Sequence, residues 1–380
     1  MTQISDFDSI RPFNDSEVSE VIDKLCSEQY FLRILTYLFP ARPVSETVAS
    51  MKQIRTIDDF QTKFILPFLD ELISTTTEGL TASGLENVDS QHSYLFMSNH
   101  RDIILDSALI NVKLHERGVE TTEIAIGDNL LIYDWITDLV KLNKSFVVRR
   151  NLPVRQQLEA SETLSTFIRN SIVNRHQNIW IAQREGRSKN GDDQTQGSVI
   201  KMLNLSGSSH NVIDNIRELN IVPVSISYEY DPCDYLKAHQ ALLKRDNPGY
   251  QKSQSEDLTH MSTGLRGRKG RVHLSFGTPI SLDDSIGQLG KNAQITMVAD
   301  AIDEQIHSHY KLWPCNYIAY DAVSGSTRFA DRYTPADRDE FMAYVHEHIS
   351  RIDSLTDADF VLRNILEMYA NPVANKMKIV

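Results

Sequence analysis

An α/β fold is predicted, with a largely parallel central sheet flanked by helices, an N-terminal helical region before it and a C-terminal helical tail after it. Three observations predict it. Between residues 94 and 276, short β-prone runs alternate with amphipathic segments, the pattern of strands joined by helical crossovers. Outside that stretch the apolar residues recur at three- and four-residue spacing instead. A chain of 380 residues, 41% hydrophobic and 24% charged, has the profile of a globular protein with ample length to bury a core.

Helical spacing begins after the capping candidates Asn14 and Asp15, where Val18, Val21, Ile22 and Leu25 mark one face, and it continues to about Leu80. The strand candidates follow: YLFMS (94–98), EIAI (123–126), SFVV (145–148), NIWIA (178–182), IVPVSIS (221–227) and RVHLSF (271–276). The clearest helical patterns between them cover 103–117, 129–143 and 153–175. Residues 249–264 are polar and weakly patterned, which reads as a loop. After Gly277-Thr278-Pro279 the helical pattern returns over 293–310 and 337–352, with an irregular stretch at 313–333. The expected division is therefore a helical region at 1–84, an α/β domain at 85–290 and a helical extension at 291–380.

The 39 Lys and Arg against 51 Asp and Glu leave a formal charge of −12, which argues against nucleic acid as a partner, since displacing counterions from phosphates needs a basic surface. Cys26, Cys233 and Cys315 are odd in number and far apart, so they suggest neither a disulfide framework nor a metal cluster. The pairs His307/His309 and His346/His348 stand two apart on expected helices and do not share a face, so no metal site is expected there. Acids occupy residues 1–15 where a leader would be basic and then apolar, and the expected location is the cytoplasm. The apolar run YFLRILTYLF (30–39) is half the length of a membrane-spanning helix; it reads as a core helix or as one lying on a membrane surface.

In a parallel sheet, ligands gather beyond the carboxyl ends of the strands. The residues there form a coherent set: Asn99-His100-Arg101-Asp102 and then Asp106, the pair Arg149-Arg150, and Gln183-Arg184-Glu185-Gly186-Arg187-Ser188-Lys189-Asn190-Gly191. Each piece has an ordinary explanation. A His beside an Asp is often a structural pair, Asp102 can cap the next helix, the arginines can be a solvated face, and Glu-Gly-Arg can be a turn. Their convergence on consecutive strand ends favours a site. GLRGRKGR (264–271) is either a basic loop for anionic lipid or carrier phosphates, or a solvated loop.

Four blocks carry a resemblance. SNHRDIILDSAL, KSFVVRR, REGRSKNG and IVPVSISYEY, the last centred on Pro223, stand in the same order as the blocks of the glycerolipid acyltransferases, a family that includes glycerol-3-phosphate and lysophosphatidate acyltransferases. The resemblance covers about residues 99–230 and departs from the family at two points: Gln183-Arg184 stand before Glu185 where members more often have Pro or a small apolar residue, and the first block is one residue longer. Five residues separate His100 from Asp106 where the family has four, so Leu105 occupies the usual aspartate position and Asp102 competes as partner of the histidine.

The resemblance implies transfer of an acyl group from acyl-CoA or an acyl carrier protein to glycerol-3-phosphate, or alternatively to a lysolipid such as lysophosphatidate. A neutral imidazole, with an ordinary pKa near 6.5, can take the hydroxyl proton, which makes His100 the candidate base and Asp106 its orienting carboxylate. Arg101, Arg149, Arg150, Arg187 and Lys189 are candidates for the acceptor phosphate, with Glu185, Gly186 and Ser188 in the same block as substrate-binding residues. No cofactor is called for, and a lipid product implies peripheral contact with a membrane. A non-catalytic lipid- or RNA-binding protein is the reading from another class; it leaves the His-Asp pair without a use. Asp106 is favoured over Asp102 because helical side chains lean toward the N-terminus, so a carboxylate one turn into the helix points back at the loop of His100.

Overall fold

The computed structural model describes residues 7–40, 42–150 and 152–379; the reading of residues 1–6 lies outside them. Seven strands form one sheet: β1 (Thr77–Ser83), β2 (Leu95–Ser98), β3 (Glu123–Gly127), β4 (Ser145–Val148), β5 (Ile179–Ala182), β6 (Ile221–Tyr228) and β7 (Gly270–Phe276). Their spatial order is β1-β7-β6-β2-β5-β3-β4. Every neighbouring pair is parallel except β6 and β7. The six strand candidates all form strands, and the sheet is largely parallel as expected.

Helices cover both faces, which is why β2 and β6 are buried along their whole length and read as largely apolar runs, broken only by small serines. On one face Leu95, Met97, Phe146, Ile179 and Ile221 pack against the helices Val154–Val173 and Lys291–His309. On the other, Phe96, Trp180, Val222 and Leu274 pack against Leu66–Thr76 and Leu105–Glu116. The outer edge of β4 is closed by the N-terminal segment, whose Ile10 carbonyl accepts the Val147 N–H at 2.9 Å.

Three local expectations are corrected. Residues 77–83, read as the end of a helical region, form β1, an edge strand whose short polar sequence lacks a continuous apolar run because only one side of it is paired. Residues read as a loop at 249–264 form most of the helix Gln254–Arg266, started by a capping box between Ser253 and Glu256. The irregular stretch at 313–333 contains the helix Pro314–Ser324, with proline in its first turn and Gly325 in the left-handed region at its end.

The C-terminal helices do not hang off the sheet. Ile295, Val298 and Ile302 of Lys291–His309 enter the sheet core, while Pro335–Ser350 and Ala358–Ile379 pack with Asp234–Asp246 into a core of their own. A buried polar tie fixes that packing: Asp234 has His348 Nδ1 2.5 Å from one carboxylate oxygen and accepts the Tyr369 hydroxyl on the other at 2.9 Å. Replacing Asp234 by alanine leaves two buried donors unpaired, at about 1–3 kcal/mol each. Urea denaturation of Asp234→Ala is expected to show a loss of about 2–6 kcal/mol. An unchanged midpoint would mean that these helices are held by apolar contacts alone.

Candidate active site

The strand order places four loops on one edge of the sheet. Ser98 of β2 is level with Ala182 of β5, and Gly127 of β3 with Val148 of β4, so the segments after β2, β5, β3 and β4 lie side by side. The first is anchored by Asn99, which is fully buried and bridges to β6: its Oδ1 accepts the Ile226 N–H at 2.7 Å and its Nδ2 donates to the Ile226 carbonyl at 3.0 Å.

His100 follows. Its Nδ1 lies 2.8 Å from Asp106 Oδ2, and the same oxygen accepts the backbone N–H groups of Arg101 at 2.6 Å and Asp102 at 3.0 Å. The other oxygen accepts the Tyr228 hydroxyl at 2.9 Å. Asp106 is buried in the first turn of Leu105–Glu116, while Asp102 spends one oxygen on the N–H groups of Ile104 and Leu105 at the helix start. The geometry thus pairs His100 with Asp106 and leaves Asp102 as a cap, with burial and the adjacent Asp106 pushing the Asp102 carboxyl up. Because Nδ1 is engaged with the carboxylate, Nε2 is the nitrogen left for a ligand. The ring stands edge-on to Trp180 at 5.7 Å, and Trp180 donates to Ser98 at 3.0 Å.

The loop after β5 turns at Gly186, whose φ of +68° suits glycine. Ser188 then donates its backbone N–H to the His100 carbonyl at 2.8 Å, locking this loop against the first. Both loops open on a cavity of about 2660 Å³ lined by His100, Arg149, Arg150, Arg184, Glu185, Gly186, Arg187 and Lys189. Phe31, Ile34, Leu38, Phe68 and Leu72 from the N-terminal helices, with Leu258, Met261 and Leu265 from Gln254–Arg266, form its apolar wall. That volume exceeds the few hundred to ~1,000 Å³ of ordinary small-molecule pockets and has room for a long chain.

Two sequence candidates do not reach this cavity. Arg101 points behind it, 4% exposed, where it donates to Asp193 at 2.6 Å beneath the Tyr310 ring, because a buried guanidinium needs a carboxylate partner. Ser188 is fully buried, and its hydroxyl accepts the Gly191 N–H at 3.2 Å, so it shapes the turn instead of facing a ligand. Pro223 lies mid-strand in β6, paired with Met97, away from the cavity. Three of the four cations in the basic stretch 264–271 are engaged elsewhere: Arg268 with Glu78 and Glu340, Arg271 with Glu229, and Lys269 buried against the Leu265 and Gly267 carbonyls, its pKa pushed by burial down to about 8; Arg266 stacks over the Tyr37 ring and lines the cavity.

Other residues join the site that strand-end reasoning missed. Lys237, Lys244 and Lys252 line the cavity from a segment after β6. Lys237 donates to the Arg101 carbonyl at 2.8 Å and pairs with Asp231; Lys252 pairs with Asp257. Burial lowers the pKa of Lys189, as do the neighbouring cations Lys252, Arg187, Lys244 and Lys237, a sign of how much positive charge converges here. The Gln254–Arg266 helix lies directly on the His100 loop: a Cβ on Gly264 would stand 2.0 Å from Asp102 Oδ2, so only glycine fits. Its one local signal is the Ser253-x-x-Glu256 capping box.

This architecture can hold an anion beside a base, with an apolar channel alongside. Among solved structures the chain is similar to the 1-acyl-sn-glycerophosphate (LPA) acyltransferase PlsC from Thermotoga maritima, at 12% identity over 76% of this chain and 95% of that one, with a TM-score of 0.36. No curated protein matches the chain. Residues 79–227 match the family model described as Acyltransferase, a span that runs from β1 into β6 and includes the His100–Asp106 pair, Arg149, Arg150 and the Glu185–Lys189 turn. Over that span the chain is similar to the acyltransferase family.

Proposed function

We propose that the chain moves a fatty acyl group from a thioester, acyl-CoA or acyl carrier protein, to the hydroxyl of glycerol-3-phosphate, with His100 as general base. The observation that carries this reading is the cavity onto which the His100–Asp106 pair opens, with cations on one wall and an apolar channel on the other. Nε2 accepts the hydroxyl proton as the alcohol oxygen attacks the thioester carbonyl. The carbon–sulfur bond then breaks, and the imidazolium returns its proton to the departing sulfur, leaving ester and free thiol. Asp106 fixes the ring and balances the imidazolium, and no covalent acyl-enzyme is required. Arg149 and the half-buried Arg187 line the cavity without a salt-bridge partner among the described residues, which suits them to a phosphate.

Thiol release followed with a colorimetric reagent tests the reading. It is expected to depend on glycerol-3-phosphate, and lysophosphatidate in its place reads out the alternative acceptor; release indifferent to either would overturn acyl transfer to a glycerolipid. In the same assay His100→Ala is expected to lose on the order of 10²–10⁴ in turnover while circular dichroism stays unchanged. Arg149→Leu or Arg187→Leu should raise the acceptor KM several-fold more than that of the thioester, and equal rises would mark a structural role.

The same reading places the protein on a membrane surface. No helix among the described residues is long and apolar enough to cross a bilayer. Tyr30, Ile34, Tyr37, Tyr133, Val154 and Leu158 are nonetheless solvent-exposed around the cavity mouth, with Arg33 beside them. Such a rim can enter the headgroup region and let a lipid product leave sideways. Sedimentation with anionic vesicles is expected to retain the protein at low salt and lose most of it for Val154→Asp/Leu158→Asp; equal retention would remove this face from the contact.

A further inference from the structure

Arg187 is held in an unusual way. Its Nη2 donates at 3.1 Å to Nδ1 of His260, a residue 2% exposed, while its Nη1 is buried with no hydrogen-bond partner. No carboxylate lies within salt-bridge distance of it among the described residues. The carboxylates near this wall are already used: Asp257 by Lys252, Asp231 by Lys237, and one oxygen of Asp102 by the start of a helix. Arginines withdrawn from water ordinarily lie against a carboxylate, as the fully buried Arg101 does here, and the half-buried Arg187 departs from that pattern. Arg187 instead has a neutral ring as its acceptor and one donor left over.

His260 itself does not line the cavity; it stands behind the wall that Arg187 forms. Its helix, Gln254–Arg266, lies outside the acyltransferase-family span and is fixed on both sides of the histidine, by the Cys233 thiol donating to the His260 carbonyl at 3.3 Å and by Gly264 against Asp102. We infer that His260 is a positioning residue for the phosphate site: it aims the Arg187 guanidinium through a lone pair, and so leaves that charge uncompensated for a dianionic phosphomonoester. Burial, followed by the fields of Arg187, Lys252, Lys237 and Lys189, drives the imidazole pKa down to about 2, so the ring stays an acceptor throughout the working pH range. A carboxylate in its place would orient Arg187 equally well and cancel the charge the ligand needs.

The inference rests on the proposed acyl transfer for its acceptor, and its test separates the two. Binding of inorganic phosphate is measured by calorimetry, and acceptor and thioester KM by thiol release, for wild type and for His260→Asp, His260→Ala and His260→Asn. The Asp variant is expected to weaken phosphate binding and raise the acceptor KM about tenfold or more, the worth of one hydrogen bond to a charged group, with the thioester KM little changed. His260→Ala should fall between, and His260→Asn, whose Oδ1 can accept where Nδ1 does, should restore most of what Ala loses. If His260→Asp does not fold, the Ala and Asn variants carry the comparison. Phosphate binding that follows this order without acceptor-dependent thiol release would support the site and overturn the acyl-transfer reading. Normal turnover with phosphate binding and acceptor KM indifferent to all three variants would overturn the role of His260, as would equal losses for acceptor and thioester.

Discussion

The site depends on one buried carboxylate. Asp106 meets the His100 ring, two successive backbone N–H groups and the Tyr228 hydroxyl, and those contacts fix three things at once. The N–H groups of Arg101 and Asp102 set the shape of the loop that carries the histidine. The contact at Nδ1 sets which ring nitrogen is left free. Tyr228 ties the pair to the end of β6, and burial together with Asp106 raises its pKa well above the ordinary value, so it remains a donor. The loop tolerates one residue more than the related family has because the carboxylate, and not the residue count, defines its end.

Charge in this molecule is informative only where it is uncompensated. The chain is formally −12, and its most conspicuous basic run, 264–271, is largely spent on glutamates and carbonyls. The cations that remain available in the cavity include Arg149, Arg184, Arg187, Lys189, Lys244 and Arg266, dispersed in sequence and brought together only in the fold. A protein can be acidic overall and still hold a strongly anion-attracting cavity, because burial and crowding raise the local field beyond what net charge suggests.

Legibility from sequence followed the same physics. The six strands covered on their faces by helices read directly as apolar runs, while edge strand β1 did not, since TEGLTAS is half-exposed and lacks such a run. The helix Gln254–Arg266 was obscured because Leu258, Met261 and Leu265, at helical spacing, are its only large apolar residues and form a stripe too sparse to stand out from the polar side chains around them. The strand ends told which residues gather, as Arg149, Arg150 and Arg187 show. They could not tell which way each side chain turns: Arg101 follows His100 directly and faces Asp193, and Ser188 follows Arg187 and turns into its own loop. Partners across 73 residues, as in Arg187 with His260, leave no local pattern at all.

These distances in sequence also divide the labour in the site. The span shared with the acyltransferase family contains the His100–Asp106 pair and the turn of Arg187, which are groups any acyl transfer to a phosphate-bearing alcohol would use in the proposed reading. The flanking segments supply what the span lacks. The N-terminal helices form most of the apolar wall, and the stretch from Asp234 to Arg266 adds three lysines, the acceptor behind Arg187 and the backbone that lies on Asp102. A base and a cation alone do not distinguish one acyl acceptor from another. In the proposed reading, chain length and headgroup choice reside in segments outside the matched span, and substitutions there should move specificity without touching the proton transfer assigned to His100.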